Sequence, residues 1–82
     1  MITKEEIKQL IEAGLPGSTA MIAGDDGSHF EGIVVCAAFA GKNMIAQHRM
    51  VFETLGDRMQ TGVIHALGMK TYTPEQWEAQ QG

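Results

Sequence analysis

The chain has 82 residues, 44% of them hydrophobic and 20% charged, as is ordinary for one small cooperatively folded domain covering residues 1–82. A domain of this size has a thin core, so a module that acts on a partner is expected rather than an enzyme with an enclosed pocket. The formal net charge of −4 argues against general electrostatic binding of nucleic acid, which needs a clustered positive surface.

Cysteine content and the N-terminal sequence bear on the compartment. Cys36 is the only cysteine, so no intrachain disulfide can form, and a reducing compartment such as the cytoplasm is predicted. The chain begins with a charged, capped helix and lacks the apolar run of a signal peptide, and no segment approaches membrane-spanning length. We therefore expect a soluble, intracellular protein that does not contact a membrane.

The first predicted element is a helix over residues 4–13. Thr3 is placed to cap it, and Glu6, three residues later, completes a capping box. Gly14 is predicted to supply the left-handed conformation that ends the helix.

Two β-compatible runs follow, "STAMIAG" and "HFEGIVVCAAF". The turn-forming residues Asp25-Asp26-Gly27-Ser28 separate them, which favours a hairpin. The second run is almost entirely apolar from Ile33 to Phe39, which predicts a central strand with both faces covered.

The second half of the chain reads as helix, strand and short helix. Asn43 is a candidate cap for the second helix. A further helical turn could form in the segment "GDRMQTG" that follows it. The next predicted strand is "VIHALGMKTY". Thr73-Pro74-Glu75-Gln76 is a capped start for a terminal helix. The predicted fold is α+β, in the order α-β-β-α-(α)-β-α, with a three-stranded sheet on which the helices pack.

His65 is the most conspicuous polar residue, because it lies inside the otherwise aliphatic strand "VIHALGMKTY". Alternation groups it with Val63, Leu67 and Met69 on one side of that strand. A lone histidine in such a run is more often a hydrogen-bonded structural residue than a ligand. Spacing alone therefore leaves its role open.

The loop between the first two strands collects further metal-type donors, Asp25, Asp26 and His29. Most such clusters are solvated turns, and this one lacks the regular carboxylate ladder of a calcium loop. Cys36, in an apolar strand, is expected to behave as a small buried hydrophobe.

His48 and Arg49 lie on the second predicted helix, with Arg49 turned toward solvent. Arg49 could contact a phosphate or a partner carboxylate, and the alternative is an ordinary solvated arginine. No serine, cysteine or lysine is paired with an obvious base, and no phosphate-binding loop is present, so the sequence does not predict an enzyme.

Three blocks, "GSHFEGIVV", "FAGKNMIAQHRMVFETL" and "VIHALGMKTYTPEQW", resemble those of BolA-like proteins in order and spacing. The resemblance covers nearly the whole chain and implies a fold like a class II KH domain. It also implies a partner, a monothiol glutaredoxin of the Cys-Gly-Phe-Ser type, which shares a [2Fe-2S] cluster held by the glutaredoxin cysteine, glutathione and two BolA side chains. His65 matches the histidine of the family's Ile-His-Ala block, which is one of those two ligands.

The family's second ligand is a cysteine or histidine in the loop between the first two strands, where this chain has Asp26. His29 and Asp26 therefore compete for that position. The isolated protein is expected to lack the cluster, and a homodimer is left open. The resemblance thus implies a non-enzymatic accessory protein of iron-sulfur cluster trafficking or iron sensing.

The alternative function implied by the resemblance is that of a DNA-binding transcriptional regulator of stress responses. It would use the region around His48 and Arg49. The acidic charge and Gln47, which stands where many members have an arginine, count against it.

Overall fold

A computed structural model describes residues 2–24, 26–27 and 29–81. Its elements are α1 (Lys4–Gly14), β1 (Thr19–Ala23), β2 (His29–Val35), a short 3-10 turn (Ala37–Phe39), α2 (Met44–Thr54), β3 (Ala66–Tyr72) and α3 (Pro74–Gln81). The predicted α+β fold is confirmed, as is the order of its elements apart from the optional helical turn after α2. The sheet is mixed and ordered β1-β2-β3, with β1 antiparallel and β3 parallel to β2.

The predicted central place of β2 and the hairpin that joins it to β1 are therefore also confirmed. Four residues that the predictions include lie outside the described residues. They are Asp25 and Ser28 in the predicted turn, and Met1 and Gly82 at the ends of the predicted domain.

Helix α1 begins as predicted. The Thr3 hydroxyl accepts a hydrogen bond from the Glu6 N–H (3.1 Å), and the Glu6 carboxylate accepts one from the Thr3 N–H (3.1 Å), which completes the capping box. Ile7 and Ile11, one turn apart, are fully buried. The cap and the apolar face together fix where this helix starts and which side it buries.

Gly14 does not end α1 in the left-handed conformation that the sequence predicted. It is part of the helix, and Gly17, with φ at +83°, makes the left-handed turn. A Cβ at position 14 would lie 2.6 Å from Thr54 Cγ2 and 2.8 Å from Thr54 Cβ. Gly14 therefore lets α2 approach α1 closely, a packing role that cannot be read from local sequence.

Strand β2 ends at Val35, whereas the sequence predicted a strand continuing to Phe39. The chain turns after Cys36, where the Phe39 N–H donates to the Cys36 carbonyl (3.2 Å), and the Phe39 side chain is fully buried. Burial of an apolar side chain by a turn gives the same sequence signal as burial in a strand. Cys36 is buried, as predicted.

The prediction that both faces of β2 are covered was wrong, because α1 and α2 cover one face and on the other face only Val35, at the end of the strand, is buried. Residues of β2 alternate between the two faces: Val34 is fully buried, Glu31 is exposed and Ile33 is half-buried. Helices α1 and α2 both pack on the Val34 face, where they share one core. That core contains Ile7, Ile11, Ala20, Phe30, Val34, Phe39, Val51, Leu55, Ile64 and Leu67.

The segment "GDRMQTG" forms a succession of turns rather than a helix. One bond of helical type occurs there, from the Thr61 N–H to the Asp57 carbonyl (2.9 Å). Ile64 then enters the core, and its N–H donates to the Arg58 carbonyl (3.0 Å). Because these contacts hold the chain in a bend, β3 begins at Ala66 and not at Val63.

Helix α3 starts with the predicted cap. The Gln76 N–H donates to the Thr73 hydroxyl (3.2 Å), and the Thr73 N–H donates to the Gln76 side chain (2.9 Å). Trp77 lies against Tyr72, with 5.3 Å between their ring centroids. Over the described ranges, no helix has the length and apolar character needed to span a membrane.

Candidate metal centre

Two of the three histidines meet at one end of the sheet. His29 is the first residue of β2, and His65 immediately precedes β3. In the parallel ladder His29 pairs with Ala66, which brings the preceding residue beside the His29 ring. The two imidazole centroids are 5.2 Å apart, with 65° between the ring planes. Two of the predicted ligand candidates are therefore neighbours.

The prediction that His65 lies inside the last strand was wrong. His65 precedes β3 and is exposed, whereas Leu67, which alternation placed on the same side, is buried. The reason is that Ile64 occupies the core position, so regular alternation begins only at Ala66. The imidazole is thus already presented to solvent, and no rearrangement of the strand is needed to expose it.

Asp26 is bonded to His29 through both carboxylate oxygens. Oδ1 accepts from the His29 backbone N–H (2.8 Å), and Oδ2 lies 2.9 Å from the ring atom Nδ1. A carboxylate at Nδ1 favours the tautomer that carries its proton there, which leaves Nε2 as the nitrogen able to bind a metal. Carboxylate-histidine pairs of this kind orient histidine ligands in many metal sites.

Gly24 shapes the loop that carries Asp26. Its φ is +151°, and a Cβ at this position would lie 2.6 Å from the His29 carbonyl oxygen and 2.7 Å from the Phe30 ring. Glycine therefore permits the close approach of the end of β1 to the start of β2. The local sequence gives only one sign of this role, a glycine directly before a turn-forming run.

The site offers two adjacent imidazoles and one carboxylate that is already engaged. Within the described ranges, no three His, Cys, Asp or Glu side chains converge as a complete metal site. Asp25, the remaining donor of the predicted cluster, lies outside the described residues. A metal centre here would need further ligands from solvent or from a partner.

His48 and Arg49 lie on α2, where the sequence placed them. Arg49 is exposed, and His48 is half-buried in a groove of about 450 Å³ between α2 and β3. Lys70 and Tyr72 also line this groove, and none of its lining residues is acidic. The positive charge of Lys70 and the lack of acidic lining residues would suit a phosphate or carboxylate group.

Gln47 has a structural task in this region. Its Nε2 donates to the carbonyls of Phe39 (3.2 Å) and Lys42 (2.8 Å), and its Oε1 accepts from the Thr71 hydroxyl (2.6 Å). The side chain thus ties α2 to the preceding turn and to β3. Its amide serves the fold and adds no positive charge to the groove.

Comparison with known proteins points to one family. The family model described as BolA-like protein matches residues 11–76. The chain is similar to the DNA-binding transcriptional regulator BolA of Escherichia coli (strain K12), with 39% identity over 54 residues, which cover 66% of this chain and 50% of that protein. It is also similar to Protein BOLA2 of Arabidopsis thaliana, with 38% identity over 82 residues, 95% of this chain and 86% of that protein.

Among solved structures, a bolA protein homologue from Coxiella burnetii superposes with a TM-score of 0.83 and 47% identity. The match covers 95% of this chain and 99% of that one. The chain spans about half the length of the bacterial curated relatives, 50% of the Escherichia coli protein and 47% of its Vibrio cholerae counterpart.

Proposed function

Because this chain belongs to the BolA-like protein family, we propose that it is a non-enzymatic accessory protein of iron-sulfur cluster trafficking or iron sensing. In this proposal it shares a [2Fe-2S] cluster with a monothiol glutaredoxin of the Cys-Gly-Phe-Ser type. The observation that carries the proposal is the exposed pair His29 and His65, whose ring centroids are 5.2 Å apart. A small chain with two neighbouring imidazoles suits a metal site whose remaining ligands come from a partner.

His65 and His29 would hold one iron, while the glutaredoxin cysteine and glutathione hold the other. His29 is preferred to Asp26 as the second ligand, because the Asp26 carboxylate already bonds to the His29 ring and backbone. Two neutral imidazoles in place of two thiolates reduce the negative charge of such a cluster and raise its reduction potential.

The position of the pair also suits an interface with a partner. His29 is the first residue of β2, His65 immediately precedes β3, and the His29 side chain is 63% exposed. Among the residues that the structure describes, none has to move before a partner can reach either ring, because both side chains are exposed. The isolated protein supplies only half of the ligands, so we expect it to be purified without the cluster.

The test is anaerobic reconstitution with a monothiol glutaredoxin, glutathione, iron and sulfide, followed by visible circular dichroism. The wild type should give a spectrum distinct from that of the glutaredoxin homodimer. His65→Ala should abolish this spectrum, and His29→Ala should abolish it or make the cluster markedly more labile. His48→Ala, the matched control at the third histidine, should leave it unchanged. A wild-type mixture that shows only the homodimer spectrum would contradict the proposal.

A second candidate function is duplex DNA binding, favoured by the name of the Escherichia coli relative and by the groove beside His48 and Arg49, whose lining includes no acidic residue. The net charge of −4 and the engagement of Gln47 within the fold oppose it. Retention on duplex DNA at about 150 mM salt that falls for Arg49→Ala would support this function. Retention that vanishes at that salt for the wild type would remove it.

A further inference from the structure

We propose that His29 and His65 also bind a single divalent transition-metal ion of the zinc class in the protein without its partner, with Asp26 as a positioning residue behind His29. This site requires neither glutathione nor glutaredoxin. Because the ion would use the same imidazoles as the cluster, it would compete with cluster binding, a consequence that rests on the proposed function.

The spacing of the rings suits one ion. In a tetrahedral zinc centre a ligating nitrogen lies about 2.1 Å from the ion and about 1.1 Å from its own ring centroid, so two such rings have centroids about 5.2 Å apart. The observed distance between the His29 and His65 centroids is 5.2 Å. The present separation of the two rings therefore matches that of two imidazoles on one ion.

Asp26 prepares His29 for this role. Its bond to Nδ1 (2.9 Å) sets the tautomer and limits ring rotation, and its bond to the backbone N–H (2.8 Å) ties the loop to the start of β2. Its negative charge lies on the far side of the ring from Nε2, where it makes the ring a stronger donor to a cation. Asp26 therefore acts through His29 and is not itself a ligand in this proposal.

The donor set identifies the class of ion. Imidazole nitrogens suit zinc and its neighbours among the first-row transition metals, whereas magnesium and calcium prefer oxygen ligands. Since no third protein ligand converges on the pair within the described residues, water completes the coordination. Binding should therefore be reversible and readily removed by chelators.

The experiment uses the full chain without an affinity tag, because a histidine tag would mask the signal. Zinc ions are titrated against a chromophoric chelator at neutral pH, with Mg²⁺ as the ion that should not compete. The wild type should bind one zinc ion per chain. His29→Ala and His65→Ala should each lose saturable binding, whereas His48→Ala should keep it.

Asp26→Ala should weaken zinc binding by about tenfold, the usual loss when the partner of a ligating histidine is removed. Asp26→Asn retains an oxygen that can accept from Nδ1 and should recover part of this loss. Circular dichroism of each variant in the far ultraviolet checks that the fold persists, which we expect because Asp26, His29 and His65 are exposed and the control residue His48 is only half-buried.

Three results would overturn the inference. The first is no saturable zinc binding by the wild type, and the second is zinc binding by His29→Ala or His65→Ala that equals that of the wild type. The third is a loss of zinc binding in His48→Ala as large as the loss in His29→Ala and His65→Ala. The two proposals fail separately. Zinc binding without a shared cluster would contradict only the proposed function, and a shared cluster without zinc binding would contradict only this inference.

Discussion

Glu12 is the residue through which α1 holds the outer edge of the sheet. Its Oε2 accepts from the Ala20 N–H (3.0 Å) and from the Lys8 ammonium (2.6 Å), which also donates to the Ala20 carbonyl (2.9 Å). The Ala20 amide first, and the Lys8 ammonium second, hold the pKa of the Glu12 carboxyl below its usual value of 4.5. Both backbone groups of Ala20 on the open side of β1 are thereby occupied.

This contact makes stability depend on pH in a defined direction. Because the pKa of Glu12 is lower in the folded chain, its ionised form stabilises the fold above pH 4.5, and that stabilisation is lost as the pH falls through the folded pKa. Glu12→Gln should therefore be less stable than the wild type at neutral pH, and the difference should shrink as the pH falls. Urea unfolding measured from about pH 7 to about pH 3 tests this.

Glu78→Gln is the matched control for that comparison, since Glu78 is an exposed glutamate on α3. It should change stability little across the same range. A Glu12→Gln deficit that stayed constant down to the acid end would show that the Glu12 contact acts through shape and not through charge.

At the scale of single residues, the sequence did not show how the candidate ligands are arranged. His65, His29 and Asp26 were all singled out, but Asp26 and His29 stood as rivals for one position. The structure shows Asp26 bonded to His29, and this depends on the loop path that Gly24 allows with its φ of +151°. Residue type and spacing do not specify such a path, because it is set by backbone contacts between strands.

At the level of elements, the starts of helices were predictable and several ends were not. Thr3, Asn43 and Thr73 each cap a helix through bonds within three residues, so a local pattern suffices. The end of β2 and the start of β3 depend instead on Phe39 and Ile64 entering a distant core. Boundaries set by tertiary burial leave no distinctive local signal.

The contact between α1 and α2 yields a test of the role found for Gly14. In Gly14→Ala the new Cβ would lie 2.8 Å from Thr54 Cβ, so the helices must separate. We expect a loss of about 1–3 kcal/mol in the free energy of unfolding, as for overpacking elsewhere. Urea denaturation measures it.

Gly68→Ala is the matched control, because a Cβ there would meet no atom closer than 3.9 Å. It should stay within about 0.5 kcal/mol of the wild type. Equal effects of the two substitutions would show that Gly14 is not a packing residue.

At the scale of the whole molecule, the sequence predicted that helices pack on a three-stranded sheet, but not which of its faces they cover. The apolar run through Ile33 and Val34 marked β2 as central, which is confirmed. It also suggested cover on both faces, yet Ile33 faces away from the helices and is half-buried. Hydrophobicity along one strand cannot show on which face the helices pack, because that depends on the connections between elements.

The same architecture predicts an uneven distribution of local stability. Strand β2 pairs on both sides, whereas residues 57–63 are held by turn hydrogen bonds and most of them are exposed. Amides of β2 should be the slowest to exchange with deuterated water, and those of residues 57–63 should be among the fastest outside the termini. Hydrogen exchange followed by NMR would show this, and protection of residues 57–63 equal to that of β2 would contradict it.

Parallel pairing of β2 with β3 also determines where residues can be inserted without separating His29 from His65. Residues added among the exposed positions 60–63 would lengthen a surface loop and leave the ladder in register. One residue added between His65 and Ala66 would move the imidazole to the opposite side of the strand and away from His29. Natural variation in length should therefore accumulate ahead of Ile64 and avoid the junction between His65 and Ala66.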